Sequence, residues 1–354
     1  MKTVSILIII CAFFAGLNLS ANAAVLRASD IKIAGELTFT RESTLHKGFS
    51  DLLESVQELG RKQNARGLHI STGPNDADGI SQIWIRADDG LKILVGVDYG
   101  VIEVKTGAHN EAYYQRMTSH YHALWEDLKS MGYQPAMFRG GGHLSVGLKE
   151  LLSRENLTRK FVRDTYRHNE LSMGILGFDS QNAVPLQLLP ASKLVHLQRL
   201  IKQIRGAQSL TAIQKFLQTF EDAYFVEHLR QAHPHLPFRE DEFAMNFEHA
   251  EDPNFPRIEL RAARPQATYE IFLAQSRLLA KRIAWLANQP EDLSFELQTP
   301  LVSVDRNSTP PVEPLAALNA FARYLEEIDE PRADHIGYIW PIWESEICEK
   351  WLRQ

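Results

Sequence analysis

Cysteine is nearly absent from this chain of 354 residues, with only Cys11 and Cys348 present. Cys11 lies in an apolar leader, so one thiol is left to the body of the protein, and no internal disulfide can form there. Charge of one sign is also lacking. The chain has 38 basic and 44 acidic residues, a net charge of −6, and no segment that concentrates Lys and Arg, which argues against a nucleic-acid partner. No apolar run beyond Leu17 is long enough to span a bilayer, and no H-E-x-x-H, G-x-S-x-G or P-loop pattern occurs. Internal repeats and low-complexity stretches are missing too. What remains is ordinary globular composition, 44% hydrophobic and 23% charged, in a chain long enough to build a sizeable core.

The leader itself is informative. Lys2 precedes an apolar run from Val4 to Leu17, and Ala21-Asn22-Ala23 follows. This is the pattern of a secretory signal peptide cut after Ala23, spanning residues 1–23. A membrane anchor needs about 20 apolar residues, more than this run supplies. Cys11 sits inside the run and not at its end, so the lipoprotein pattern is not met. The expected address is a bacterial periplasm or the exterior. Cleavage removes Lys2 and no acid, leaving a mature chain of net charge −7 with a single, inert thiol at Cys348.

Residues 31–39 alternate apolar Ile31, Ile33, Leu37 and Phe39 with polar neighbours, a strand with one polar face. Helical spacing over 44–59 is followed by a loop-like stretch, 66–79. Three strands at 82–86, 92–97 and 101–105 are joined by Asp88-Asp89-Gly90 and Asp98-Tyr99-Gly100, turns tight enough to make them antiparallel neighbours. A helix over 108–131 stops at Gly132. A strand pair then brackets the Gly140-Gly141-Gly142 triplet. Helical patterns fill about 149–235, a strand at 257–262 precedes a helix at 272–286, an extended connection covers 298–314, and a Trp-bearing helix covers 341–352. This order predicts one α+β domain over 24–354, an antiparallel sheet with helices on one face and a mostly helical insertion.

Four of these strands turn an ionisable or polar pair to one side, by the period of two. The pairs are Glu36 with Thr38, Glu103 with Lys105, His143 with Ser145, and Glu259 with Arg261. On a shared sheet face they bring together three carboxylates, an imidazole and a guanidinium. Carboxylate oxygens are hard ligands for Mg²⁺ or Mn²⁺, and Arg offers a forked pair of donors to phosphate. Alternation alone also fits an open sheet whose polar face is solvated.

The ordered set Ala34-Gly35-Glu36-Leu37-Thr38, Val101-Ile102-Glu103-Val104-Lys105-Thr106, Gly141-Gly142-His143-Leu144-Ser145-Val146 and Arg257-Ile258-Glu259-Leu260-Arg261 resembles the amidoligase family of carboxylate-amine ligases. The resemblance spans about residues 31–286 and implies a glutamine-synthetase-like fold. It also implies a Mg²⁺- and ATP-dependent reaction in which a carboxylate is activated as an acyl phosphate and an amine displaces the phosphate. By the same resemblance Glu36, Glu103, His143 and Glu259 are metal ligands or their close supports. Arg261 steadies the transferring phosphoryl group, and Glu103 shares in catalysis. Two positions depart from the family pattern: Thr38 stands where the first motif has a second carboxylate, and Ser145 where the third has a second histidine. With the export signal, these substitutions keep two alternatives open. One is a non-catalytic descendant that binds a ligand or protein on the same face; the other is an ATP-independent amide hydrolase. The expected substrates are a carboxylate and an amine on peptide or cell-wall-derived molecules.

Other candidates are weaker. His120 and His122 lie two apart on a helix and point different ways, so both are expected at the surface. His233 and His235 sit in a proline-fixed loop without a third ligand in sequence. Trp340, Trp343 and Trp351 are expected to dock the tail on the domain. As groups on a solvent-facing strand, Glu103 and Glu259 are expected to tolerate change to Gln within about 0.5 kcal/mol of stability.

Overall fold

Among the described residues nine strands form one sheet, in which every pairing is antiparallel. The computed structural model describes residues 25–41, 49–75, 81–98, 100–136, 142–152, 154, 156–167, 191–219, 245–261, 263, 266–290 and 314–335. The chain runs β1 (Ile33–Thr40), α1 (Phe49–Ala65), β2 (His69–Asn75), β3 (Ser81–Arg86), β4 (Lys92–Asp98), β5 (Val101–Thr106), α2 (Glu111–Arg116), α3 (Thr118–Ser130), β6 (Gln134–Pro135) and β7 (Leu144–Gly147). Helices α4 (Leu148–Leu152), α5 (Leu157–Arg167), α6 (Ala191–Lys202) and α7 (Ala207–Gln218) follow, then β8 (Met245–Asn246), β9 (Arg257–Leu260), α8 (Tyr269–Ala287) and α9 (Pro314–Glu326). In space the strands lie in the order β2-β3-β4-β5-β1-β7-β9-β8, with β6 on the end of β1. The expected mixed fold with an antiparallel sheet is present. The signal peptide, the triplet's first two glycines, His233, His235, Cys348 and the Trp-bearing tail lie outside the described residues.

The register separates two faces. Leu37 opposes Val104, Phe39 opposes Ile102, and Leu144 opposes Leu260. These side chains are all buried, and each such aliphatic contributes roughly 1.5–3 kcal/mol on leaving water. Helices α1, α3 and α8 pack on this face. Gly60 of α1 lies against Ile83 and Ile70, Trp125 of α3 meets the Phe39 ring edge-on at 5.2 Å, and a Cβ on Gly35 would collide with Phe272 of α8. Glycine at position 35 therefore lets β1 lie directly against α8.

Capping fixes where these helices begin and end. The Asn110 side chain accepts from Tyr113 N at 3.1 Å, starting α2, and Thr268 does the same for α8. Gly132, with φ +81°, ends α3: Tyr133 N bonds to Leu128 O and Gly132 N to Lys129 O, each at 2.9 Å. Tyr114 ties α2 to the sheet, its hydroxyl 2.6 Å from Ile33 O and 2.9 Å from Thr106 Oγ1. Thr106 Oγ1 in turn accepts from Gly35 N at 2.8 Å, one residue before Glu36.

Two sequence expectations need correction, and one helix was not foreseen. Residues 69–75, read as loop, form β2, which pairs with β3 from His69↔Arg86 to Thr72↔Ile83; Gly73 and Pro74 hid a strand at the exposed edge, where Pro is tolerated. The single helix expected over 108–131 is broken at Met117, because the Thr118 hydroxyl bonds back to Gln115 O at 2.8 Å. Residues 314–326 form α9, which begins where the extended connection was expected to end. Among the described residues no helix is long and apolar enough to cross a membrane.

Candidate functional site

The sheet face opposite α1, α3 and α8 carries the charged groups. Glu36 opposes Lys105, Thr38 opposes Glu103, Ala34 opposes Ser145, and Ser145 opposes Glu259. Directly opposed residues of an antiparallel pair share a face, so all four polar pairs converge, as the alternation predicted. His143 precedes β7 and joins the ladder through its carbonyl, which accepts from Glu36 N at 2.8 Å. Its backbone is steadied from the far side: Gly142 N bonds to Ala263 O, and Gln266 Nε2 donates to Gly142 O at 2.9 Å.

At the centre, His143 Nδ1 lies 3.3 Å from Glu36 Oε2 and 3.2 Å from Glu259 Oε1. One ligand atom from each of these three residues falls within 4.8 Å of the other two. Arg261 Nη1 donates to Glu259 Oε1 at 2.9 Å, and His249 Nε2 stands 3.7 Å from the other oxygen. Two carboxylates and an imidazole are a donor set that fits a hard divalent cation.

The surroundings set the charge states. Burial acts to raise the Glu36 pKa, but the His143 hydrogen bond and the charges of Lys105 and Arg257 outweigh it and hold Glu36 well below the carboxylate range. Burial acts to lower His143, and the bond to Glu36 and the charge of Glu259 overcome it, so the imidazole is held above its ordinary value. Protonated, the imidazole bridges the two carboxylates. A bound cation would compete with that proton for the same atoms.

Glu103 is not in this group. It lies on β5, opposite Thr38, and its Oε2 is 2.8 Å from Lys105 Nζ. Burial and the negative charge of Glu36 push its pKa up to about 7, against the pull of Lys105. Burial would lower Lys105, yet Glu36 and Glu103 raise it above its ordinary value. Asp98, at the end of β4, is raised by burial and by the charge of Glu36. Three of the four expected ligands thus meet, with Arg261 attached, while Glu103 forms a neighbouring centre with Lys105.

The expectation that these carboxylates face solvent is overturned. Glu259 is 2% and Glu103 6% exposed, and the departure residues Thr38 and Ser145 are 5% and 3%. Strand alternation shows which side a residue faces but not what else covers that side. Sequence reasoning also missed His249, Arg257 and Asp98. Arg257 was legible as the same-face neighbour of Glu259, two residues away, and Asp98 as the start of the hairpin turn. His249 lies in the Glu248–Glu251 turn, whose sequence gives no signal. His120 and His122 are apart, as expected, pairing with Asp89 at 2.8 Å and Glu270 at 2.6 Å.

A cavity of about 590 Å³, walled by Phe39, Trp125, Tyr133 and Tyr269, opens in the helix layer and contains none of the converging charges. Comparison with family models and with curated proteins finds no match to this chain.

Proposed function

We propose that this chain is an exported, amidoligase-like protein of glutamine-synthetase-like fold whose polar sheet face joins a carboxylate to an amine at the expense of ATP. The observation that carries the reading is the meeting of Glu36, His143 and Glu259 within 4.8 Å, with Arg261 fastened to Glu259. These three residues would hold a Mg²⁺- or Mn²⁺-type ion, which supplies charge neutralisation at the oxygens of a transferring phosphoryl group. Arg261 stands beside them to orient those oxygens. In the first step a substrate carboxylate attacks the terminal phosphorus of ATP and ADP leaves, giving an acyl phosphate. In the second, the amine attacks the acyl carbon, phosphate leaves, and Glu103 accepts the amine proton. A carboxyl poised near neutral pH suits that role. The substrates in this reading are carboxylates and amines of peptide or cell-wall origin.

One observation favours a second reading, a non-catalytic descendant that binds a carboxylate ligand on the same face. Thr38 replaces a carboxylate opposite Glu103, and the Lys105 ammonium, 2.8 Å from Glu103, supplies there a cation of the protein's own. In that reading Lys105 has replaced a second metal ion, and the Glu36 triad alone retains metal affinity.

Calorimetric titration of the purified protein with Mn²⁺ and then Mg·ATP, with Glu36→Ala as control, separates the readings. Nucleotide binding that disappears in the control supports the ligase. Ion binding without nucleotide binding at millimolar concentration favours the ligand-binding descendant. No ion binding at all sinks both.

A further inference from the structure

The polar face is not uniformly covered. One row across it is closed: Thr38, Glu103 and Gln82 are each between 5% and 6% exposed. The adjacent row, joined by the register pairs Glu36↔Lys105, Lys105↔Leu94 and Leu94↔Trp84, is part-open at every member. Lys105 is the most open of its charged members, with 38% of its side chain exposed. The row is a track one residue wide, running from the Glu36 triad over three strand spacings to Trp84, about 14 Å between strand axes.

Its chemistry changes along its length. At the triad end lie two carboxylates and an imidazole suited to a cation. One strand further is the Lys105 ammonium. Leu94 offers an apolar step, and Trp84, followed only by the small exposed Ser71 of β2, presents an indole attended by Lys92 Nζ at 4.4 Å and Arg86 at 5.2 Å from the ring centroid. Both cations are exposed and on long flexible stems, so they can swing off the ring. A ligand matching this sequence carries polyanionic charge at one end, to be shared by a metal ion and an ammonium. It carries a flat aromatic ring at the other, since indole faces stack on heteroaromatic rings. A nucleoside triphosphate has that order and comparable reach.

We infer that this row is the nucleotide track of the site, with Lys105 against the phosphate chain and Trp84 as the platform on which the base stacks. The assignment rests on the ATP-dependent reading above and adds to it where the base lies. It makes Trp84 a binding residue, remote from the reacting atoms.

The test is calorimetric titration of the purified protein and of Trp84→Ala and Trp84→Phe, with two probes, Mg·ATP and Mg·tripolyphosphate. Loss of a base–aromatic stack predicts Mg·ATP binding weakened about 10-fold or more in Trp84→Ala, with tripolyphosphate binding unchanged. Trp84→Phe, which keeps a ring, gives an intermediate loss. Lys105→Ala weakens both probes, as a phosphate contact does. Wild-type binding of Mg·ATP that is unaltered in Trp84→Ala overturns the track while leaving the ligase reading intact. Equal weakening of both probes in Trp84→Ala also overturns it, because the indole then acts on the phosphates or on the fold. Failure of the wild-type protein to bind Mg·ATP overturns the ligase reading and the track with it.

Discussion

Between α8 and the Arg332–His335 turn, Glu330 is fully buried and surrounded by donors. Arg277 Nε bonds one oxygen at 2.7 Å with His335 Nε2 at 3.1 Å, and Lys281 Nζ lies 2.9 Å from the other. Burial there would raise its pKa, but these partners bring it down to about 2. On the sheet face the carboxylates share their partners. Glu36 and Glu259 share one nitrogen of His143, Glu103 must share Lys105 with Glu36, and Glu103 is pushed up to about 7. The first cluster is saturated with positive charge, so its carboxylate is fully ionised and its geometry serves cohesion. The second is unevenly compensated: Glu36 and Glu259 have His143, Lys105 and Arg261 beside them, while Glu103 is left with a share of Lys105 alone. Glu36 and Glu103 repel one another across that shared ammonium, a state that a cation from solution relieves. The balance of partners, more than the presence of buried acids, separates a structural clasp from a binding site.

The largest expected effect breaks the clasp. Glu330→Gln leaves Arg277 and Lys281 without their buried carboxylate and costs about 3 kcal/mol, read by urea denaturation, with ion binding at the sheet face unaltered. A loss below about 1 kcal/mol would make the two clusters equivalent and remove the contrast. Glu259→Gln comes next. Unfolding free energy falls by about 1–3 kcal/mol because the part-buried Arg261 and His143 lose a counter-charge, and Mn²⁺ affinity falls by about 100-fold or more. Unchanged Mn²⁺ affinity shows that the triad holds no ion. Gly35→Ala tests the backing of the face: its Cβ meets the Phe272 ring, and the overpacking costs about 1–3 kcal/mol. If thermal unfolding shows no change, β1 does not rest on α8 as described.

The smallest effects are in pH dependence, and they have opposite signs. Glu330 has a folded pKa lowered from 4.5 to about 2. Its stabilisation is complete above 4.5 and is lost as pH falls towards 2. Glu103 has a folded pKa raised from 4.5 to about 7, so the native state binds more protons between those values and stability declines as pH rises through the window. Glu103→Gln should flatten the stability profile between 4.5 and 7, and Glu330→Gln should flatten the acid limb. A Glu103→Gln profile parallel to wild type shows that the carboxylate is not strained by Glu36.

Much of this contrast was legible before the fold. Alternation in β1, β5 and β9 put Glu36, Glu103 and Glu259 on one side, because a strand has only two sides and the apolar residues occupied the other. Pairing partners were harder to read. Lys105 follows Glu103 by two residues and is visible in sequence, but that it reaches towards Glu36 depends on β5 lying next to β1, a non-local fact. The clasp was invisible for the same reason: Arg277 and Glu330 are 53 positions apart, and α9 was not recognised. β2 was missed because its polar, Gly- and Pro-bearing sequence serves an edge.

That edge has a bearing on how the molecule behaves in a crowded compartment. Within the described residues the sheet terminates at β2 and β8. A free edge is a template on which a second chain can lay its own strand and continue the ladder. β2 resists this, since Pro74 has no N–H to offer and the register slips between Thr72 and Asn75, while β8, two residues long, is too brief to hold a newcomer. Both margins of a nine-stranded surface are thus poor seeds for end-to-end polymerisation, and the protein can carry so broad a sheet without inviting its neighbours to extend it.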